Sequence, residues 1–439
     1  MRSSVTEVTY PLSFRSGDAQ KLGKHLFHSH SVDLIGMKRV GISNFLRFFL
    51  YHKDIVKTYI DPSEQYLFVP VDLNDLIEQE IFPFWTLTLK RIVDASSHAT
   101  LPDAVKQRIE SSFLDSIQSR DLFLLIDSVR NGLVQIVEHG ITPVVFLLRF
   151  DRMKDVITPE LFANLQGLKD ATHQRLSYVF TSFRSLDDLS PHVFTKASLS
   201  VFAHEMYMQP AEKEDMRIVY DTYQERYHLK LKPVIEEALF SFVSGHMQYL
   251  QLALIILNEH REKEVASKEE LFTMLVRDER TTLQSEELWE SLTKEEKRAF
   301  LKISKKEDLT NEEKKKACYL WDTGLVVNPA LPENKQTVFS PLLKHYLEHV
   351  STQAEGENKN IYFSKKENML FTLLQQNIDH ICEREKIVEF VWPEYRELGV
   401  SDWAIDRLVA RVRAKLKQQK SSHEIVTIRT RGYKLVTQQ

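Results

Sequence analysis

Two cysteines, Cys318 and Cys382, are all that the 439 residues contain, and their spacing fits no pair. That argues against a disulfide framework and a cysteine-based zinc site, and it suits a reducing cytoplasm. Glycine is also scarce, at 12 residues, which is few for an enzyme rich in phosphate loops or tight turns. No apolar run approaches the roughly 20 residues that a membrane span needs. The opening "MRSSVTEVTYPLSF" lacks the apolar centre of a signal peptide, so no membrane partner is expected. No Ser/His/Asp or Cys/His constellation can be nominated, and no catalytic residue is expected. "HLFHSHS" puts His25, His28 and His30 close together, but without helix-face spacing or a carboxylate they read as surface residues, and no metal is expected.

What remains is a globular composition, 43% hydrophobic and 27% charged, in a chain long enough for about three domains. The net charge of −4 hides an asymmetry. From Ser401 onward nine Lys/Arg face three acids, so the tail carries +6 and the rest −10. A basic cluster on an acidic body focuses a polyanion onto one end. Charge alone equally suits a solvated lysine-rich helix.

The first ~200 residues alternate apolar runs with amphipathic stretches. "SVDLIG", "QYLFVPVDL", "TPVVFLLRFDRM", "LSYVFTSF" and "ASLSVFAHEMYM" read as strands, several of them buried on both faces. Segments such as "LFLLIDSVRNGLVQIVEHG" lie between them as helices. This alternation predicts an α/β domain with a mostly parallel sheet covered by helices over residues 1–208. Phe45, Phe48 and Phe49 sit at helical spacing and read as core. After about Gln209 the pattern becomes helical, predicting a lid-like domain over 209–283 and a first winged helix over 284–350. The lysine-rich "KKEDLTNEEKKK" reads as a solvated face or loop. The polar "STQAEGENKN", 351–360, reads as a linker, and 361–439 as an α+β winged helix-turn-helix.

The helix expected over 401–417 is the most informative element. Ser401 is a good N-cap and Asp402 suits the positive end of the helix dipole. Ile405, Leu408, Val409, Val412 and Leu416 gather on one face, which must be core. The other face holds Trp403, Arg407, Ala410, Arg411 and Ala414, with Arg413, Lys415 and Lys417 on the flanks. Alanines between arginines let a helix approach a groove closely, where arginines can bond base edges or phosphates. "EIVTIRTRGYKLV" follows as a strand, turn and strand over 425–436, with Arg429 and Arg431 at the turn.

"VSDWAIDRLVARVRAKL" followed by "IVTIRTRGYKLV" resembles the OmpR/PhoB-type winged-helix DNA-binding domain of bacterial response regulators. "FSKKENMLFTLLQQN" and "ICEREKIVEFVWP" are similar to its first two helices. The resemblance implies that Arg407 and Arg411 face bases, with Trp403 on the same side. It implies that Arg413, Lys415, Arg429 and Arg431 mainly hold phosphates. Thr430 departs from the family's usual glycine. Double-stranded DNA is the implied partner, bound by a homodimer or higher homo-oligomer.

"LIGMKRVGISNFL" has the form of a phosphate-gripping loop with Gly36, Gly41 and Ser43 in place, but Ile42 stands where the lysine belongs. It resembles the loop of STAND-type, AAA+-related ATPases, and later segments follow that family's order. Such a loop works through backbone N–H groups, a charge-neutralising lysine and a metal-binding hydroxyl. At the second strand the family's acidic pair is replaced by Leu148 and Arg149, and Met247 takes the place of the lid proline. Lost charges of this kind remove several kcal/mol of transition-state stabilisation. The expectation is a pseudo-ATPase, not an enzyme, that has kept the fold for sensing a protein or ligand effector or for oligomerisation. It needs no cofactor, and Lys38 or Arg39 leaves weak ATP or ADP binding open. Together the resemblances imply a cytoplasmic bacterial transcription regulator. The alternative is a nucleotide-driven STAND-type signalling or defence ATPase whose winged helices make protein contacts.

Overall fold

In a computed structural model the chain is described apart from residues 1–5, 192, 194–201, 262–264, 329–335, 356–362, 364, 394–401, 420, 429–430 and 438–439. For 351–355, 365, 402–403 and 418 only the backbone course is described. The described residues divide into two compact units. One comprises 1–282 and 292–345, the other 283–291 and 346–439.

Five strands form the sheet of the first unit: β1 (Val32–Gly36), β2 (Gln65–Asp72), β3 (Ile141–Leu148), β4 (Ser177–Ser182) and β5 (His204–Met208). All neighbours are parallel, in the order β2-β3-β4-β1-β5. β1 and β4 are buried throughout, and β3 all but its last residue, in keeping with their largely apolar sequences, with Asp33, Thr142, Ser177, Thr181 and Ser182 buried among them. β2 lies at an edge and buries alternate residues. Of "ASLSVFAHEMYM" only His204–Met208 is strand among the described residues, because 197–201 lie outside them. Helix α1 (Ser16–Phe27) precedes β1, and α2 (Ile42–Tyr51) follows the glycine loop. Phe45, Phe48 and Phe49 are fully buried. Between β2 and β3 run α3 (Ile81–His98), α4 (Asp103–Ser119) and α5 (Leu122–Glu138), packing Trp85, Leu89, Leu125 and Val129 into the core beside β2 and β3.

Among the described residues helices then follow without further strands until the short hairpin of β6 (Val326–Val327) and β7 (Thr337–Val338). The periodicity through "SEELWESLTKEEKRAFLKIS" proves to be two helices. The first ends at Glu290, and Thr293 caps the second, Lys294–Ser304, through a reciprocal capping box with Glu296. The first of them, Glu279–Glu290, is here called the acidic helix. Its residues 283–290 count with the C-terminal unit. "KKEDLTNEEKKK" is mostly exposed and ends in a capped helical turn, Asn311–Lys316. The helix Pro341–Glu355 continues five residues into the stretch read as a linker, and 356–360 lie outside the described residues.

The C-terminal unit has helices Lys365–Gln376, Arg384–Val391 and Asp402–Gln418, and a sheet of β8 (Cys382–Glu383), β9 (His423–Ile428) and β10 (Gly432–Thr437) in the order β8-β10-β9. β9 and β10 are an antiparallel hairpin with Tyr433 opposite Thr427. One core joins Leu370, Leu374, Ile387, Trp392 and Tyr433 to Ile405, Leu408, Val409, Val412 and Leu416. The apolar face read from the 401–417 periodicity is therefore the buried one.

Candidate nucleic-acid interface and the glycine loop

With its apolar side in the core, the helix Asp402–Gln418 turns Ala410, Ala414 and Lys417 out to solvent. Arg407 and Arg411, on the same side as the alanines, are held by carboxylates. Arg407 Nε donates to Glu286 Oε1 at 3.0 Å, and its Nη2 lies 3.5 Å from Glu290 Oε1. Arg411 Nη1 is 3.4 Å from Glu286 Oε2, and its Nε is 3.8 Å from Glu367 Oε1. Lys415 Nζ donates to Glu367 Oε2 at 2.6 Å. Burial opposes the charge of Arg407, but the Glu286 hydrogen bond and the charges of Glu286 and Glu290 outweigh it and make the guanidinium a weaker acid than usual. Burial and the same two carboxylates push the Tyr346 phenol up beside them.

Arg413 bridges helix and hairpin. Its Nε donates to Ile425 O at 2.8 Å and its Nη2 to Thr427 Oγ1 at 2.7 Å. It thus sets the angle between the two basic elements. Arg431 is exposed at the hairpin turn, which its own N–H closes onto Ile428 O at 3.1 Å. Ser401, Arg429, Thr430 and the side chain of Trp403 lie outside the described residues. Periodicity identified which side of the helix faces away from its core. It could not identify Glu286, Glu290 and Glu367 as partners, because their contacts span 44 to 125 residues of chain.

The glycine loop runs from Gly36, at the carboxyl end of β1, to Ser43 in the first turn of α2. Gly41 precedes that helix with φ +118°, a conformation reserved for glycine. A Cβ there would also meet Met247 Cγ at 2.6 Å. At Gly36 a Cβ would meet Val40 Cγ1 at 3.0 Å and Ile42 Cδ1 at 3.1 Å. Apolar side chains thus crowd the start of the loop. Lys38 lies 4.8 Å over the Phe183 ring, and Arg39 is exposed with φ +65°. At the end of β3, Arg149 pairs with Asp72, and its N–H donates to Thr181 Oγ1 at 2.8 Å. A cleft of about 1270 Å³ opens beside the loop, lined by Ser43, Arg47, Tyr66, Asp72, Arg91 and Arg149.

His246, next to Met247, fastens the loop. Its Nδ1 accepts from the Tyr249 N–H at 3.2 Å, so Nε2 carries the proton and donates to Lys38 O at 3.0 Å. Burial lowers its pKa from the ordinary 6.5 to about 4. The unfolded chain therefore binds a proton between these values that the folded chain refuses. The resulting stability is complete above pH 6.5 and is lost as pH falls through about 4, amounting to about 3 kcal/mol. Unfolding free energies at pH 7 and pH 4 should show a smaller acid loss in His246→Gln than in the native chain. Equal losses would contradict this assignment.

The fold and the basic face define a winged helix joined to a parallel α/β sheet, in which the glycine loop follows β1. Residues 358–435 match the family "Transcriptional regulatory protein, C terminal", so the C-terminal unit is a winged helix of the OmpR/PhoB type. No curated protein matches the sequence. Among solved structures the chain is similar to the Walker-type ATPase paby2304 of Pyrococcus abyssi, at 14% identity and TM-score 0.48, covering 76% of this chain and 95% of that one. It is also similar to the Aeropyrum pernix ORC1 protein in complex with DNA, at 13% identity and TM-score 0.40, covering 79% and 95%. A third is domain III of the Thermotoga maritima replication initiation protein DnaA, at 16% identity and TM-score 0.35, covering 60% and 90%. Every one of these scores is below 0.5, and the N-terminal sheet is defined by its own parallel strand order, β2-β3-β4-β1-β5. Among the described residues no helix is long and apolar enough to cross a membrane.

Proposed function

We propose that this chain is a sequence-specific DNA-binding transcription regulator, with its helix Asp402–Gln418 entering the major groove and its hairpin lying on the adjacent backbone. The observation that carries the reading is a helix with one face buried in a winged-helix core and the opposite face bearing Arg407, Arg411 and small alanines. In the conformation described, Glu286, Glu290 and Glu367 stand where base edges and phosphates would, so DNA must displace at least the acidic helix. The proposed regulator is thus held in a covered state until a signal withdraws residues 283–291.

The N-terminal domain is the proposed receiver of that signal, a STAND-like domain without hydrolysis. The cleft beside Ser43 is the place for an effector, since open parallel sheets bind ligands beyond the carboxyl ends of their strands. With Ile42 for lysine and Arg149 tied to Asp72, the loop lacks the charges that phosphoryl transfer requires. A single winged helix buries only about 600–1,000 Å², so a homodimer on paired half-sites is the proposed binding form.

Recovery of bound genomic fragments, followed by titration of the recovered site, tests the proposal. Arg407→Ala and Arg411→Ala are each expected to weaken the specific site by about 1–3 kcal/mol and to relax its sequence preference. Arg431→Ala is expected to weaken all sequences alike and to reduce the salt slope by about one. Equal loss on every sequence from all three changes would contradict the assigned roles. Phosphate release from ATP that Ser43→Ala abolishes would overturn the pseudo-ATPase part.

A further inference from the structure

Three histidines far apart in sequence meet at one edge of the N-terminal sheet. His25 lies in the last turn of α1, His30 in the loop before β1, and His204 opens β5. Backbone bonds bring them together. The His30 N–H donates to His25 O at 2.9 Å, and the His204 N–H to Ser31 O at 2.9 Å, where β5 begins to pair with β1. The rings of His25 and His204 are stacked at 4.8 Å, those of His30 and His204 lie 4.6 Å apart, and those of His25 and His30 5.9 Å. One ring nitrogen from each falls within 4.8 Å of the others.

We propose that His25, His30 and His204 form a binding site for a divalent cation of the zinc class. Zinc–imidazole bonds of 2.0–2.1 Å set ligand nitrogens about 3.4 Å apart on a tetrahedron. Closing from 4.8 Å needs only side-chain rotation, and His30 and His204 are exposed and able to turn. Three neutral imidazoles with no carboxylate select zinc, cobalt, nickel or copper over magnesium and calcium, which demand oxygen ligands. The fourth position is left to water. Burial, and then the charge of neighbouring His204, lower the affinity of both His25 and His30 for protons. Lys24 and Lys169 lie close enough to add to this effect, and they also limit affinity for a dication.

The bound ion would act as a clamp. β5 is an edge strand whose sheet neighbour is β1, and its far end sets Met208 opposite Gly36 of the glycine loop. Tying His204 to the end of α1 would fix that register from the other end. His28 has its ring 5.6 Å from that of His30 but lies outside the trio, which makes it an internal control.

The test is titration of the metal-free full chain with zinc chloride, read by competition with a chromophoric chelator and by the shift in thermal midpoint. Cobalt chloride serves as the spectroscopic probe. Binding of about one zinc per chain is expected, with a rise in midpoint and the visible absorption of tetrahedral cobalt. His204→Ala and His30→Ala should each abolish the cobalt absorption and the midpoint shift, while His28→Ala should keep both. The exposed replacements should leave the metal-free midpoint unchanged, which separates lost ligation from lost folding. The proposal is overturned if the His25→Ala/His30→Ala/His204→Ala chain binds as much zinc as the native one. It is equally overturned if roughly 100 µM free zinc, far above the range of a specific site, leaves the native chain unliganded.

Discussion

Replacing Glu286 and Glu290 together by glutamine is expected to tighten DNA binding by the full chain about five- to thirtyfold at low salt. Partly exposed ion pairs contribute about 0.2–1 kcal/mol each, and two or three of them cover Arg407 and Arg411. A total of about 1–2 kcal/mol is a factor of about 5–30 in an equilibrium constant. Glutamine keeps the shape of each side chain, removes the charge that competes with phosphate and exchanges one acceptor oxygen for an NH2 donor, which loosens the hold on the arginines further. Glu367 is unsuitable for the same experiment. It is 2% exposed, inside the winged helix itself, and pairs with Lys415 as well as Arg411, so its loss would disturb the fold. A cycle with Arg407→Ala decides the cause. If the pair acts as a cover, the gain from the double replacement shrinks once Arg407 is gone, because coupled sites are not additive. Unchanged DNA affinity in the double variant would mean that the acidic helix does not hold the arginines against DNA.

Arg184→Met is expected to destabilise the N-terminal unit by about 3–5 kcal/mol. Arg184 and Glu296 form a bidentate pair, Nη1 to Oε1 at 2.7 Å and Nη2 to Oε2 at 2.6 Å, with side chains 9% and 5% exposed. The guanidinium stacks 3.8 Å from the Tyr319 ring, whose hydroxyl donates to Phe183 O at 2.8 Å. Removing the arginine leaves a carboxylate in the interior without its partner, the costly way to break such a pair. Glu296 also closes the capping box on Thr293, a role that glutamine can fill. The double replacement Arg184→Met/Glu296→Gln should therefore recover most of the loss. Denaturant unfolding of the native chain and the two variants measures this, and a single-variant loss below about 1 kcal/mol would show the pair to be no more than a surface contact.

The two halves of the chain were legible to different degrees. Strands β1, β3 and β4 were readable because a strand covered on both faces is largely apolar, here with Asp33, Thr142, Ser177, Thr181 and Ser182 as buried polar exceptions. The helix Asp402–Gln418 was readable because one buried face leaves a period of 3.6. Ile42 at the place where the phosphate-loop form has lysine was also visible, since that form has fixed spacing. Hidden from the sequence were Met247 against Gly41, His246 under Lys38, Arg413 stitched to β9, and Arg149 paired with Asp72. Each of these joins residues on different elements, and no local pattern records which distant side chain will arrive. The helical periodicity that ran on past Ser291 hid a boundary that the Thr293 capping box shows.

Local order in the amino acids thus determined the parallel α/β sheet, the C-terminal winged helix and the basic side of its last helix, because hydrophobic period and charge sign are short-range properties. Tertiary structure alone decided that this basic side lies against Glu286 and Glu290, and that His204 comes to His25 and His30. Those meetings depend on chain closure over 121 and 179 residues, where contact is set by packing of whole elements rather than by neighbours in sequence.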